Sequence, residues 1–206
     1  MTDSPRSMRS SDVRSARRAM LGLPHIKPLS NFAADLRIRH GVEVPEFDPL
    51  DGGINARILF LFEKPGPMTS DEKTGRAGSG FISRDNDDPS AEATFNFMIA
   101  AGIPREDTVT WNVVPGWNGT RKITGRELRE GVAEARNLLA LLLNARTVVL
   151  VGRKAARAGP LFRDAQFSVF ESLHPSPLVR ASRPEAWADI PRRWADAYAA
   201  IAKFGV

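Results

Sequence analysis

The chain has 206 residues, no Cys, 42% apolar and 26% charged residues, and a net charge of +5. These values fit one domain with its own core. They exclude disulfides, a Cys-ligated zinc site and a Cys-ligated iron–sulfur cluster. No apolar run reaches bilayer length, and no apolar stretch follows the N-terminal arginines, so neither a membrane span nor a secretory leader is expected. Charge is segregated along the chain. Residues 1–40 carry 8 Lys and Arg against 3 acids, residues 41–120 carry 6 against 13, and residues 121–157 carry 9 against 3. A basic block beside an acidic one suits a polyanion partner, although a solvated Arg-rich surface would have the same composition.

Residues 1–12 are polar and Ser/Arg-rich and read as a disordered arm, with one domain over 13–206. Helical spacing appears at Leu29, Phe32, Ala33 and Leu36. Arg57 to Phe62 reads as a strand buried on both faces. Residues 64–89 form a long Gly- and Pro-containing loop, a length that is usually functional or mobile. Ser90 is expected to cap a helix carrying Phe95, Met98 and Ile99. Thr108 to Val114 is a second strand. Thr124 and Glu127 have capping-box spacing ahead of a helix striped by Leu128, Val132, Ala135 and Leu139. Thr147 to Gly152 and Phe167 to Ser172 are the third and fourth strands. A last helical segment carries Trp187, Ile190, Trp194, Tyr198 and Ile201, and Pro191 should break or restart it. Strands alternating with helices predict an α/β fold: a three-layer α/β/α sandwich with a central four-stranded parallel sheet.

In such a sheet, right-handed crossovers put the β→α loops on one edge, where ligands bind. Three short segments stand there. His174 lies between an apolar strand and a Pro-x-Pro turn that fixes the loop. It is either a ligand-facing His or an incidental member of a rigid turn. Asn112 lies inside an apolar run, and its amide needs partners or costs about 1–3 kcal/mol. It matches an imide edge such as uracil N3–H and O4, or else caps a neighbouring loop. Glu63 at a strand end suits a general base or a water-orienting group, and Lys64 beside it suits an ion pair. Phe81, in a Gly-rich stretch, either stacks on a planar ring or pins the loop to the core. Arg121 with Lys122 and Arg153 with Lys154 suit phosphate contacts, as well as plain solvation.

Together these residues resemble the uracil-DNA glycosylase superfamily, over roughly 56–180. Glu63-Lys64-Pro65-Gly66 is similar to the Gly-Glu-Ala-Pro-Gly motif of its thermophilic-type members. Asn112-Val113-Val114 is similar to the Asn-Val-Val that reads the uracil edge. His174-Pro175-Ser176-Pro177 matches the second motif, with Leu178 at the place of the DNA-wedging Leu. The iron–sulfur cysteines of the thermophilic type are absent, Phe62 replaces the leading Gly, and Lys64 and Gly66 stand where the best-known uracil enzymes have Asp and Tyr.

The resemblance implies a cytoplasmic, nucleoid-associated, monomeric and monofunctional glycosylase. It would flip deoxyuridine out of single- or double-stranded DNA and release free uracil, without metal or cofactor. Glu63 and His174 would be catalytic. Lys64, Phe81 and Asn112 would bind the base. Arg121, Lys154, Ser176, Leu178 and Arg180 would hold DNA. Alternatives are a glycosylase for hypoxanthine or another deaminated base, a non-catalytic binder of uracil-containing or abasic DNA, and a small-nucleotide-binding protein.

Overall fold

The computed structural model describes residues 3–69, 78–162 and 167–204. Its centre is a parallel sheet built from β2 (Ile58–Phe62), β4 (Thr108–Asn112), β5 (Thr147–Val151) and β6 (Ser168–Ser172), in the order β4-β2-β5-β6. All three pairings are parallel. The four expected strands are present, one or two residues shorter at their ends. Val113 and Val114 lie beyond β4 but still donate to the Phe62 and Glu63 carbonyls, at 2.8 and 3.1 Å.

Alternating side chains point to opposite faces of a strand, and here each face has its own core. Leu59, Leu61, Val109, Trp111, Val148 and Leu150 pack with residues of α2 (Lys27–His40) and α4 (Gly125–Leu141). Ile58, Phe60, Val149 and Val151 pack with α3 (Pro89–Ala100) and α8 (Ile190–Ala199). The parallel sheet is therefore covered on both sides, as its near-continuous apolar strands require. β4 is an edge strand, and it departs from that composition on its α3 side. There it carries Thr108, Thr110 and Asn112, all buried.

Local capping sets the helix starts. Thr124 and Glu127 form the expected capping box. α3 is capped by Asp88 rather than by Ser90: the Asp88 carboxylate accepts from the Ser90 and Ala91 amides, and Pro89 takes a position whose N–H would be unpaired anyway. Pro191 does restart a helix. α7 (Pro184–Ala188) ends and α8 begins at Ile190. At Gly131 of α4 a Cβ would fall 2.0 Å from the Val113 carbonyl, so this glycine lets α4 close on the end of β4.

Of the expected disordered arm, residues 1 and 2 lie outside the described residues, and residues 3–12 are ordered. Ser7–Arg9 forms a 3-10 turn, α1 spans Ser11–Ala19, and Met8 is buried. Arg6 pairs with Glu92 at 2.7 Å. Arg17, wholly buried, pairs with Asp48 and, at 2.7 Å, with Asp85. Asp85 and Asp48 also bind Arg105, at 3.0 and 2.7 Å, and Asp51 joins Arg105 at 3.0 Å. Burial pushes the Asp51 carboxyl up to about 7, against the pull of Arg105. The arm's polar composition hid long-range ion pairs that hold it on the domain. A short parallel ladder of β1 (Glu46–Phe47) and β3 (Phe81–Ile82), not anticipated, leads directly into residues 83–86 beside this network.

Candidate active site

Two connected spaces lie beyond the carboxyl ends of the sheet strands. The inner one is a cavity of about 120 Å³ between the ends of β2 and β4, the segment 82–86 and the first turns of α3. The outer one is a cleft of about 780 Å³ that runs past the Glu63 loop, α5 (Arg153–Ala156) and α6 (Pro177–Ser182). His174, Lys64, Pro65, Thr69, Asp88 and Ser90 border both.

Asn112 is the last residue of β4, paired in register with Phe62 of β2. It lines the cavity at 5% exposure, and its amide has no hydrogen bond to any described residue. A buried amide in that condition is set up for a ligand. Thr110, one same-face step further in, lines the cavity as well. Across from them, Asn86 donates through Nδ2 to the Phe81 carbonyl at 2.9 Å, and its Oδ1 is buried without a partner among the described residues.

His174 stands where cavity and cleft meet. Its ring meets Phe62 edge-on, 5.6 Å between centroids. Nδ1 is buried with no partner among the described residues. Burial holds the His174 pKa below the usual histidine value, opposed by Glu63 and Asp88 and aided by Arg121 and Lys154. The ring is therefore neutral at neutral pH.

Glu63 lies on the cleft side. Its Oε1 accepts from the Lys154 amide at 3.0 Å, and Oε2 lies 3.7 Å from Lys154 Nζ. Gly152 (φ +99°) permits this approach, because a Cβ there would sit 2.8 Å from Oε1. Lys154 Nζ also donates to the Arg121 carbonyl at 3.0 Å. Arg121, Lys154, Ser176 and Leu178 line the cleft, and Leu178 is 78% exposed. Ser176 caps α6 by accepting from the Val179 amide at 3.3 Å.

Three of the expected side chains are engaged elsewhere. Lys64 does not turn its amine to the cavity. Nζ donates to Asn118 Oδ1 and Glu127 Oε1, both at 2.7 Å, and to the Lys122 carbonyl at 3.3 Å. Phe81 is fully buried and outside the cavity lining, with the Arg18 guanidinium over its ring at 5.7 Å. Of its two readings, the one that pins the loop holds, and the aromatic in the cavity is Phe62. Arg180 rests over Trp187 at 5.1 Å, away from the cleft wall, whereas Arg153 and Arg183 line it.

The profile of the Uracil DNA glycosylase superfamily matches residues 49–197, most of the chain and all of the sheet. The chain belongs to this superfamily. No curated protein matches it. Among solved structures, the solution structure of a Methanosarcina acetivorans protein with a provisional uracil DNA glycosylase assignment shares 19% identity. It covers 69% of this chain and 92% of its own, at a TM-score of 0.46. Superfamily membership supports a DNA glycosylase, a hydrolase that acts on DNA. No helix among the described residues is long and apolar enough to cross a membrane.

Sequence reasoning missed Phe62, Thr110, Ser83, Arg84, Asn86 and Asp88 as cavity residues. One signal was available: the polar run Ser83 to Asp88 sits directly before Pro89, at a helix start.

Proposed function

We propose that this glycosylase removes uracil from deoxyuridine in DNA by a monofunctional mechanism. The observation that carries the reading is Asn112: a buried residue whose amide has no partner among the described residues, in a cavity that opens through His174 onto a cation-bearing cleft. An apolar cavity of about 150 Å³ accepts a benzene ring. At about 120 Å³, and open to the cleft, the present one is on the scale of a single ring.

The base leaves the stack at a cost of a few kcal/mol and enters the cavity. Asn112 donates to O4 and accepts from N3–H, and Phe62 contributes the aromatic surface. As the C1′–N1 bond breaks, the neutral His174 donates to O2, where charge grows. A carboxylate positions water for C1′. Glu63 is our first choice and Asp88, which borders both spaces, the competitor. Arg121, Lys154 and Ser176 face the phosphates, joined by Arg153 and Arg183. Leu178 fills the space left by the flipped base. Lys64, the lysine that borders the cavity, has its amine held by Glu127, which is consistent with hydrolysis rather than imine chemistry.

The test is alkaline cleavage of oligonucleotides carrying uracil, hypoxanthine or normal bases after incubation with the protein. Cleavage at uracil supports the reading. Cleavage only at hypoxanthine, or binding without cleavage, replaces it.

A further inference from the structure

Arg84 is buried at 5% exposure and lines the cavity, and nothing above uses it. Its Nη1 meets Met98 Sδ at 3.0 Å, a weak acceptor, and its guanidinium lies 5.7 Å from the Phe95 ring centroid. Nε is buried with no partner among the described residues. No described carboxylate lies within 4.0 Å of it. The acids of the neighbouring network are engaged elsewhere, Asp48 and Asp85 by Arg17 and Arg105, and Asp51 by Arg105. Burial lowers the Arg84 pKa, but an arginine stays protonated at neutral pH.

A buried guanidinium without a directly paired carboxylate is costly in the resting protein, and Asp51, Asp3 and Asp85 offset that cost only at longer range. The cost is recovered when negative charge enters the cavity. On the reading above, the bound base is neutral and becomes an anion only as it leaves. Neutral His174 offers a hydrogen bond but no full charge.

We propose that Arg84 supplies the positive charge that stabilises the departing base anion. The inference rests on the glycosylase reading. In the step itself the C1′–N1 bond breaks and its electron pair passes to the base, delocalised over N1 and the carbonyl oxygens. Water bonds to C1′ and gives its proton to the carboxylate that positions it. The base anion takes a proton from solvent after release. Arg84 transfers nothing. It interacts more strongly with the anion than with the neutral base, which is the condition for accelerating the bond cleavage.

The experiment compares wild type, Arg84→Met and Arg84→Lys in single-turnover excision of uracil and of 5-fluorouracil at one pH. Fluorine makes the leaving group more acidic and less dependent on outside charge. Two unit charges about 7 Å apart at an effective dielectric constant of about 20 correspond to about a fifty-fold rate effect, or about 2.3 kcal/mol at 1.36 kcal/mol per decade. Arg84→Met should slow uracil by about that factor and 5-fluorouracil by clearly less, and Arg84→Lys should recover rate on uracil. Should Arg84→Met fail to fold, Arg84→Gln, which keeps hydrogen bonding without the charge, replaces it. Equal slowing on both leaving groups overturns the assignment and leaves Arg84 as a wall support. If wild type excises neither base, the glycosylase reading fails and takes this one with it. If only the leaving-group difference is missing, the glycosylase reading stands.

Discussion

Replacing Lys64 by Met should cost stability before it costs chemistry. The ammonium is 3% exposed and holds three acceptors, two at 2.7 Å and one at 3.3 Å. These tie the β2 loop to residues 118–127, including the capping-box Glu127. A hydrogen bond to a charged group contributes about 1.5–3 kcal/mol, and removing one partner of a buried pair costs about 3–5. The Glu127 side chain is 22% exposed, so water takes over part of the lost contact. We therefore expect about 2–3 kcal/mol, which for a chain of this length lowers Tm by about 5–10 °C. The pH dependence gives a second reading. Lys64 first, and the Thr124 amide next, hold the Glu127 pKa down at about 2, from a usual value of 4.5. A depressed carboxylate stabilises the fold above its unfolded pKa and loses that contribution as pH falls through the folded one. Wild type should therefore lose stability between about pH 4.5 and 2, and Lys64→Met should lose less over that window. The assay is thermal unfolding by circular dichroism at several pH values, with Glu127→Gln and the double variant completing a cycle. A Lys64→Met protein with unchanged Tm and no excision would refute the argument and return Lys64 to the base.

Asn112→Ala and Asn112→Asp should both lose most single-turnover excision of uracil, because a matched polar contact discriminates by several orders of magnitude. Wild-type rates in either would make Asn112 structural. His174→Ala should slow single-turnover excision by roughly 10²–10³ with DNA binding little changed. Equal loss of both would mean that the residue merely holds the loop. Because burial keeps His174 neutral below its ordinary value of 6.5, wild-type excision should persist as pH falls through that point and decline only lower. A midpoint at or above 6.5 assigned to His174 by NMR titration would contradict this. Leu178→Ala should hurt excision from duplex more than from single strands, measured with both substrates side by side.

The sheet was legible because each strand is a short apolar run with a helix between it and the next. Asn112 and His174 were legible because a polar residue within or just after such a run has to find a partner. What escaped was set by partners distant in sequence. Arg17 finds Asp48 and Asp85, 31 and 68 positions away, and nothing local in a polar, Arg-rich stretch signals that. Lys64 was read as an ion-pair partner for its neighbour Glu63 or as a base contact, but its acceptors lie 54 to 63 positions on. Phe81 was misplaced by a single residue's alternation. In the short β3 it turns toward Arg18, and Ile82 takes the cavity side.

The Arg17–Asp85 pair also sets an order of assembly. Arg17 leaves the ribosome 68 residues before Asp85. At about 5–20 residues per second it waits about 3–14 s for that counter-ion. Asp48 is made 31 residues after Arg17, but for the rest of that interval Asp85 and the strand that precedes it are still being made. The earliest part of the chain thus cannot complete its docking until residue 85 has been made. In the finished fold Arg17 holds Asp85, so one wall of the cavity leans on a segment that was synthesised first.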